Sequence, residues 1–447
     1  MSTREGNLEA PQRHPLDWQN PEFYKEATLM DELHRVYDIC HGCRRCFSLC
    51  NAFPLLFDAI DESPSMELDT VDKKVYWKVV DQCYLCDMCF MTKCPYVPPH
   101  PFDLDFPHLM LRAKAVKFKK GETNFRDKLL SSTDAMGKLA SIPVVTQAVN
   151  AVNKNTVTRK VMDSVLGIHQ DRELPEYSSK KFRTNASIDE SYPEKVGERT
   201  PGKVAIYATC YINYNEPGVG HDLIKILTHN EIPTKLVEKE ACCGMPKLEL
   251  GDLDAVARLK ETNIPHLAKL AHEGYAIVTA IPSCTLMYKQ ELPLMFPDDA
   301  EIKTVAEAMF DPFEYLMLRH KDGLLKTDFQ NKLGKVSYHV PCHLRVQNLG
   351  LKTRETLQLV PDTEITTVER CSGHDGTWGV KSEFFADSMK IGKPVFKQMA
   401  EGEPDYVSSD CAIAGRHIMQ GIGETQTPKK SPQKEHPLTL MRIAYGL

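Results

Sequence analysis

Eight of the fifteen cysteines in this 447-residue chain fall within 55 residues, as Cys40-x2-Cys43-x2-Cys46-x3-Cys50 and Cys83-x2-Cys86-x2-Cys89-x4-Cys94-Pro95. A cubane iron–sulfur cluster offers four corners to thiolates, and three cysteines at three-residue intervals on one tight loop can each reach a different iron. The fourth corner faces away and needs a distant ligand. Zinc also accepts Cys-x2-Cys pairs. A four-coordinate zinc, however, leaves the third close cysteine of each triplet unexplained, and the triplet occurs twice.

In two-cluster ferredoxins the distant ligand comes from the end of the other run. On that rule Cys40, Cys43, Cys46 and Cys94 hold one [4Fe-4S] cluster, and Cys83, Cys86, Cys89 and Cys50 hold the other. Two departures stand out: Asn51 follows Cys50 where a proline is usual, and the second run has one extra residue before its last cysteine. A bulge at Phe90 to Lys93 would absorb that residue.

The elements that must position these residues divide the chain. A length of 447 residues suits two or three domains. Residues 22–110 form the ferredoxin-like module, with helices expected over Phe23–Tyr37 and Glu67–Val80 and a proline-rich, extended exit. Residues 111–170 read as a helical connector broken at Ile142-Pro143, and 171–202 as a polar linker, either docked or a plain surface tether.

The remainder is an internal repeat covering 203–330 and 334–447. Lys203 to Cys210 matches Lys335 to Cys342 as an apolar strand ending at a cysteine. Cys242-Cys243-Gly244 matches Cys371-Ser372-Gly373 after a second strand (Thr234 to Val237; Glu364 to Val368). A third strand (Tyr275 to Ile281; Pro404 to Ser408) leads to Cys284 or Cys411, and each copy closes on a helix start, Asp311-Pro312 or His436-Pro437. Alternating strands and helices at this spacing give a pseudo-twofold pair of parallel α/β units. The overall class is α+β, a helical cluster module followed by that pair. Every repeat cysteine follows a strand's C-terminal end, where open α/β sheets place ligands.

Cys210, Cys242, Cys243 and Cys284 can therefore converge on one metal group. Gly244 permits the close backbone curl that lets both adjacent cysteines join. Buried inert cysteines are the alternative. The repeats resemble the cysteine-rich CCG domains found in the B subunit of heterodisulfide reductase, the iron-sulfur subunit of glycolate oxidase and the C subunit of anaerobic glycerol-3-phosphate dehydrogenase. Joined to the two-cluster module, the chain from about residue 30 is similar to the last of these. The resemblance implies a cysteine, a gap, Cys-Cys-Gly, a further gap and Cys-x2-Cys. Here Met287 replaces the final cysteine, so the five-thiolate set of a disulfide-reducing noncubane cluster is incomplete. Four thiolates still suffice for an ordinary four-iron cluster. The second copy keeps Cys342, Cys371 and Cys411 but has Ser372 and Ala414 where cysteines would stand. Those three thiolates either hold a further cluster with an open or non-cysteine corner or hold none. His343 and His374 beside them offer a nitrogen ligand or a proton, or serve as ordinary hydrogen-bonding groups.

The net charge of −6 carries no basic footprint for nucleic acid. No apolar stretch is long enough to span a bilayer, and no secretory leader is evident. A cytoplasmic location follows, with any association with the inner face of a membrane made through a partner or a surface patch. No Gly-x-Gly-x-x-Gly or phosphate loop is present, so flavin or nicotinamide chemistry belongs to another subunit. The expected function is an electron-transfer component of an oxidoreductase, relaying electrons from a flavoprotein dehydrogenase or other redox protein to a quinone or another acceptor. The alternatives are disulfide reduction of the heterodisulfide reductase type, electron donation to a cytoplasmic peroxide-reducing iron protein, and a scaffold in which clusters are purely structural.

Overall fold

The computed structural model describes residues 9–92, 94–426 and 430–447. It begins with an all-helical region and continues into two parallel four-stranded sheets. In the first, β1 (Val204–Ile206), β2 (Thr234–Leu236), β3 (Ala276–Val278) and β4 (Met309–Phe310) lie in the order β2-β1-β3-β4. In the second, β5 (Gly334–His339), β6 (Thr363–Val368), β7 (Tyr406–Ser409) and β8 (Gln433–Lys434) repeat that order as β6-β5-β7-β8. All neighbouring strands are parallel, with Val204 opposite both Thr234 and Ala276, and Val336 opposite Ile365 and Tyr406.

The central strands β1 and β3 are buried along their whole length, as expected for apolar runs covered on both faces by crossover helices. The edge strands β4 and β8 have two residues each, too few to show any hydrophobic period, and the sequence gives no separate sign of them. The two sheets share one core. Ile206 and Val278 from the first and Val336 and Tyr338 from the second are buried with Phe313, Leu316, Leu438 and Met441, which belong to the equivalent closing helices Pro312–Lys321 and Pro437–Tyr445. Asp311 and His436 cap these helices by accepting hydrogen bonds from the first-turn N–H groups.

A second core joins the helical region to the first repeat. Leu33, Tyr37, Phe57 and Val80 belong to the same buried cluster as Leu248, Met287 and Leu292. The N-terminal segment fastens this junction. Arg13 bonds Asp87 at 2.9 Å and Asp105 at 3.0 Å in the helical region and Glu291 at 3.3 Å in the first repeat, and the Trp18 indole donates to the Met295 carbonyl at 2.9 Å. The polar composition of that segment hides this role.

Helix boundaries differ from the sequence expectation in two places: the helix expected over Glu67–Val80 is a short turn at Leu68–Thr70 followed by a separate helix at Lys73–Gln82, and the first helix reaches the cysteines. The first helix runs from Glu26 to Cys43 and carries Cys40 and Cys43 in its last turn. It ends at Arg44, whose left-handed φ of 51° turns the chain toward Cys46. The first two thiols are thus presented by a helix end rather than by a loop. Lys93, the last residue of the expected bulge, lies outside the described residues. The Cys94 N–H donates to the Cys89 carbonyl at 2.9 Å, a return one residue longer than an α-helical one, and this accommodates the longer x4 spacing.

Residues 171–202 hold little regular structure, yet they are docked. Phe182 is fully buried against the first repeat, and Arg172 is buried against the second, donating to the Gly379 carbonyl at 2.8 Å and to Ser388 Oγ at 2.7 Å. No described helix is long and apolar enough to cross a membrane.

Candidate functional site

The fifteen cysteines gather in adjoining groups with no disulfide among them. In the helical region, Cys40 interacts with Cys46, Cys94 and Cys43, and burial first, then these neighbours, pushes its thiol well above the usual range. Cys50 faces Cys83, while Cys89 feels Cys83 and Cys50, and Cys86 feels Cys50 and Cys89. The last cysteine of each run therefore stands with the opposite triplet. The two sets are themselves adjacent, since Cys89 also feels Cys46. Lys114 donates to the Cys83 carbonyl at 2.5 Å and fixes the start of the second run.

In the first repeat, Cys210 begins its approach from the helix Thr209–Tyr214 after β1, Cys242 and Cys243 lie in the turn after β2, and Cys284 sits in the helix Pro282–Leu286 after β3. Cys210 Sγ is 3.9 Å from Cys242 Sγ, Cys242 and Cys243 are hydrogen-bonded, and Cys243 bonds Cys284. Hydrogen bonds from Cys210 and Cys243 pull Cys242 well below the usual thiol range. The same bonds push Cys210 and Cys243 up, as does burial.

A shell of polar groups holds the turn. The Tyr207 hydroxyl donates to the Ala241 carbonyl at 2.6 Å, Asn263 Nδ2 to the Cys242 carbonyl at 3.1 Å, and the Ala241 N–H to Asn263 Oδ1 at 2.7 Å. The helical connector joins in: Thr133 Oγ1 donates to Cys242 Sγ at 3.3 Å, and Asp134 accepts from the Cys242 N–H at 2.6 Å. Sequence reasoning misses Thr133, Asp134 and Asn263, because nothing in a single residue marks a partner more than twenty positions away.

Gly244, at φ 100°, supplies the left-handed backbone of the Cys-Cys-Gly turn. Met287, fully buried, stands with its methyl tip beside Gly244, 3.6 Å from where a β-carbon would sit. The position where the resemblance implies a fifth thiolate is therefore filled by packed apolar volume. Four convergent sulfur donors, three of them buried and Cys210 half-buried, fit an iron–sulfur cluster, for which soft thiolates are the preferred ligands.

The second repeat is arranged differently. Cys342 bonds Cys371, and Cys342 also bonds Cys86 of the helical region. The Tyr84 hydroxyl lies 3.1 Å from Cys371 Sγ, and the Gly373 N–H donates to that sulfur at 3.3 Å. Cys411 is apart from this pair and has His374 Nε2 at 3.7 Å. Burial, reinforced by the Arg172 guanidinium, pushes His374 down to about 3, so its ring is neutral and one nitrogen can accept a hydrogen bond or bind a metal. Ser372 and Ala414 are buried and face the same space as the three cysteines.

Both repeats open onto one apolar cavity of about 170 Å³, lined by all seven of their cysteines together with Tyr84 and His343. Each sheet delivers its cysteines from strand C-terminal ends, and both sets line the same cavity. Residues 204–289 and 336–416 both match the family model described as the cysteine-rich domain, CCG. The chain is 30% identical to the C subunit of anaerobic glycerol-3-phosphate dehydrogenase from Escherichia coli (strain K12) over 353 residues, covering 77% of this chain and 83% of that protein.

The chain belongs to the family of that anaerobic glycerol-3-phosphate dehydrogenase component.

More distant relatives include the B subunit of fumarate reductase (CoM/CoB) from Methanothermobacter marburgensis, 25% identical over 57% of this chain and 50% of that protein. Lactate utilization protein A of Geobacillus sp. (strain WCH70) is 30% identical over 49% of this chain and 93% of its own. The family's members thus include named subunits of a dehydrogenase and of a reductase. Together with the duplicated cysteine-rich domain they point to iron–sulfur clusters as the cofactors of this chain.

Proposed function

We propose that this chain is the iron–sulfur electron-transfer subunit of an oxidoreductase complex, carrying electrons from a flavoprotein dehydrogenase to a quinone or another acceptor. In this reading residues 22–110 are a two-cluster ferredoxin-like module, 111–170 a helical connector, 171–202 a linker, and 203–330 and 334–447 the two CCG units. Cys40, Cys43, Cys46 and Cys94 hold one [4Fe-4S] cluster, and Cys83, Cys86, Cys89 and Cys50 the second. Cys210, Cys242, Cys243 and Cys284 hold a third, and Cys342, Cys371 and Cys411 are the candidates for a further one. When bound, such clusters supply one-electron redox steps at sulfur-ligated iron. The protein's own part is to space the thiolates, exclude water and tune the sulfurs through donors such as Thr133 and Tyr84.

The observation that carries this reading is the contact of Cys86 with Cys342 and of Tyr84 with Cys371. It makes the sulfur groups of the helical region continuous with the cavity that both repeats share. An electron arriving at the first triplet has sulfur-rich neighbours at each stage. Purification of the full chain with its native partners tests the proposal: a co-purifying flavoprotein supports it, whereas a ferritin-like iron protein would make electron donation to peroxide reduction the better account.

The proposed location is the cytoplasm, with contact at the inner face of a membrane through the partner or through a surface patch. A surface patch on the connector supports such contact. Val144, Val157, Val161 and Val165 are exposed on the helices Pro143–Lys154 and Thr156–Leu166, which also expose Lys154 and Lys160. Apolar and cationic side chains on one pair of helices suit an anionic leaflet.

Disulfide reduction remains the second reading because the shared cavity is apolar and lined by sulfur from both repeats. Against it stands Met287, which fills the fifth ligand position with packed side chain.

A further inference from the structure

Beside the thiol groups lies a cluster that neither cysteine motif includes. Glu249 is on the helix Met245–Leu250 that follows Cys-Cys-Gly in the first repeat. His343 follows Cys342, and Asp375 lies in the loop after Cys371, both in the second repeat. One ligand-capable atom of each lies within 4.8 Å of the others.

His343 is 7% exposed, and its Nδ1 is engaged with Ser283 Oγ at 2.8 Å. Its other nitrogen, Nε2, is buried with no hydrogen-bond partner among the described residues. A buried nitrogen left in that state costs on the order of 1–3 kcal/mol unless something binds it. The carboxyls of Glu249 and Asp375, each half-buried, lie beside it.

The loop is shaped to keep these groups close. Asp375 and Gly376 both have positive φ, 29° and 44°, and a β-carbon at Gly376 would come 2.8 Å from Glu249 Oε2. Only glycine lets the loop lie against that carboxylate without displacing it. The cluster also has an entrance. Glu249 and Asp375 line the sulfur-walled cavity and, with Tyr84, also a neighbouring open cavity of about 430 Å³. Glu249 and Asp375 stand between the two spaces, and His343 lines the sulfur-walled one.

We propose that Glu249, His343 and Asp375 bind a single first-row divalent cation at the seam of the two repeats, distinct from any cluster held by the cysteines. Two carboxylate oxygens and one imidazole nitrogen form a mixed oxygen–nitrogen donor set, suited to Zn²⁺, Mn²⁺ or Fe²⁺ rather than to a soft, all-sulfur site. A dication is held by the two half-buried carboxyls and gives the free histidine nitrogen a partner. Three protein ligands leave a coordination position open toward the cavity, as in metal sites that bind a further molecule. The site ties one residue of the first repeat to two of the second, so it also pins the seam that the electron path crosses.

The full chain, purified anaerobically with its iron and sulfide intact, is incubated with one equivalent of Zn²⁺, desalted and measured at the zinc absorption edge. The expected result is about one retained zinc per chain with a shell of oxygen and nitrogen near 2.0–2.1 Å. Sulfur scattering near about 2.3 Å, or no retained zinc, overturns the proposal. His343→Gln and Asp375→Asn are each expected to lower zinc affinity at least tenfold while iron and sulfide per chain stay at the wild-type level. Unchanged zinc affinity in both variants also overturns it. Should a variant lose its clusters, the wild-type zinc edge, which iron does not disturb, still decides.

Discussion

The two repeats share one topology and one set of cysteine positions, yet they spend their thiols differently. In the first, Cys210, Cys242, Cys243 and Cys284 face one another, and the turn that carries Cys242 and Cys243 is braced by Tyr207, Asn263 and Asp134. In the second, Cys342 and Cys371 turn outward to Cys86 and Tyr84, and Cys411 is left with His374. The substitutions explain the divergence. Ser372 and Ala414 remove two of the donors that would draw the group inward, so the remaining pair takes its partners from the helical region. One copy thus keeps its thiols to itself, and the other joins the helical region.

The largest difference between the copies is expected on removing a central thiol. Cys243→Ser should cost about four irons per chain. It should also lower the melting temperature of the C-terminal region, because thiolate ligation couples to folding. Cys371→Ser should lose little iron from that region. Iron analysis and calorimetry on both variants decide, and equal losses would show that the copies hold clusters equally firmly.

Next in size is the crossed arrangement that feeds the junction. Cys50→Ser should damage the cluster whose other ligands are Cys83, Cys86 and Cys89, the one beside Cys342. Electron paramagnetic resonance of the reduced protein should lose the magnetic interaction between the two N-terminal clusters while the signal of the Cys40 group remains. Loss of that group's signal instead would refute crossed ligation.

A smaller effect tests the junction itself. Tyr84→Phe removes the hydroxyl 3.1 Å from Cys371 Sγ, a bond that holds this otherwise raised thiol down. Stability should fall by about 1 kcal/mol. Electron delivery into the repeats should slow, with iron in the first repeat unchanged. A rate equal to wild type would remove Tyr84 from the path.

The smallest effect is a pH dependence at the seam. Asp311 of the first repeat is pushed up to about 8 by burial and by Asp410 of the second and Glu314. Its unfolded pKa is near about 3.9, so the folded chain holds this proton to higher pH than the unfolded chain does. The stabilisation is complete below that unfolded value and is lost as pH rises toward 8. Asp311→Asn keeps the helix cap, and it should make the fall in stability between pH 5 and 8 shallower. Denaturant melts across that range check it; an unchanged slope would place the titration elsewhere.

Much of this contrast is legible from spacing alone. The six principal strands, the two helix starts at Asp311 and His436, and the cysteines just past strand ends all follow from hydrophobic period and punctuation. Those signals are local. What escapes them is made by contacts distant in sequence: Arg13 reaching Glu291, Asp134 accepting from Cys242, Arg172 entering the second repeat, and Cys86 meeting Cys342. Spacing also ends the helix that carries Cys40 and Cys43 too early, because cysteine ligand runs suggest loops. In the sequence His343 reads either as a nitrogen ligand or proton source or as an ordinary hydrogen-bonding residue, and only the fold reveals that one nitrogen is satisfied and the other is not.

The central claim, that the first repeat relays electrons and does not cleave disulfides, is tested most directly by turnover of the purified chain with a strong reductant and two acceptors. The account predicts steady electron delivery to a quinone analogue or to the co-purified partner, and no reduction of disulfide substrates. Disulfide reduction by the wild-type chain, abolished by Cys243→Ser, would contradict it.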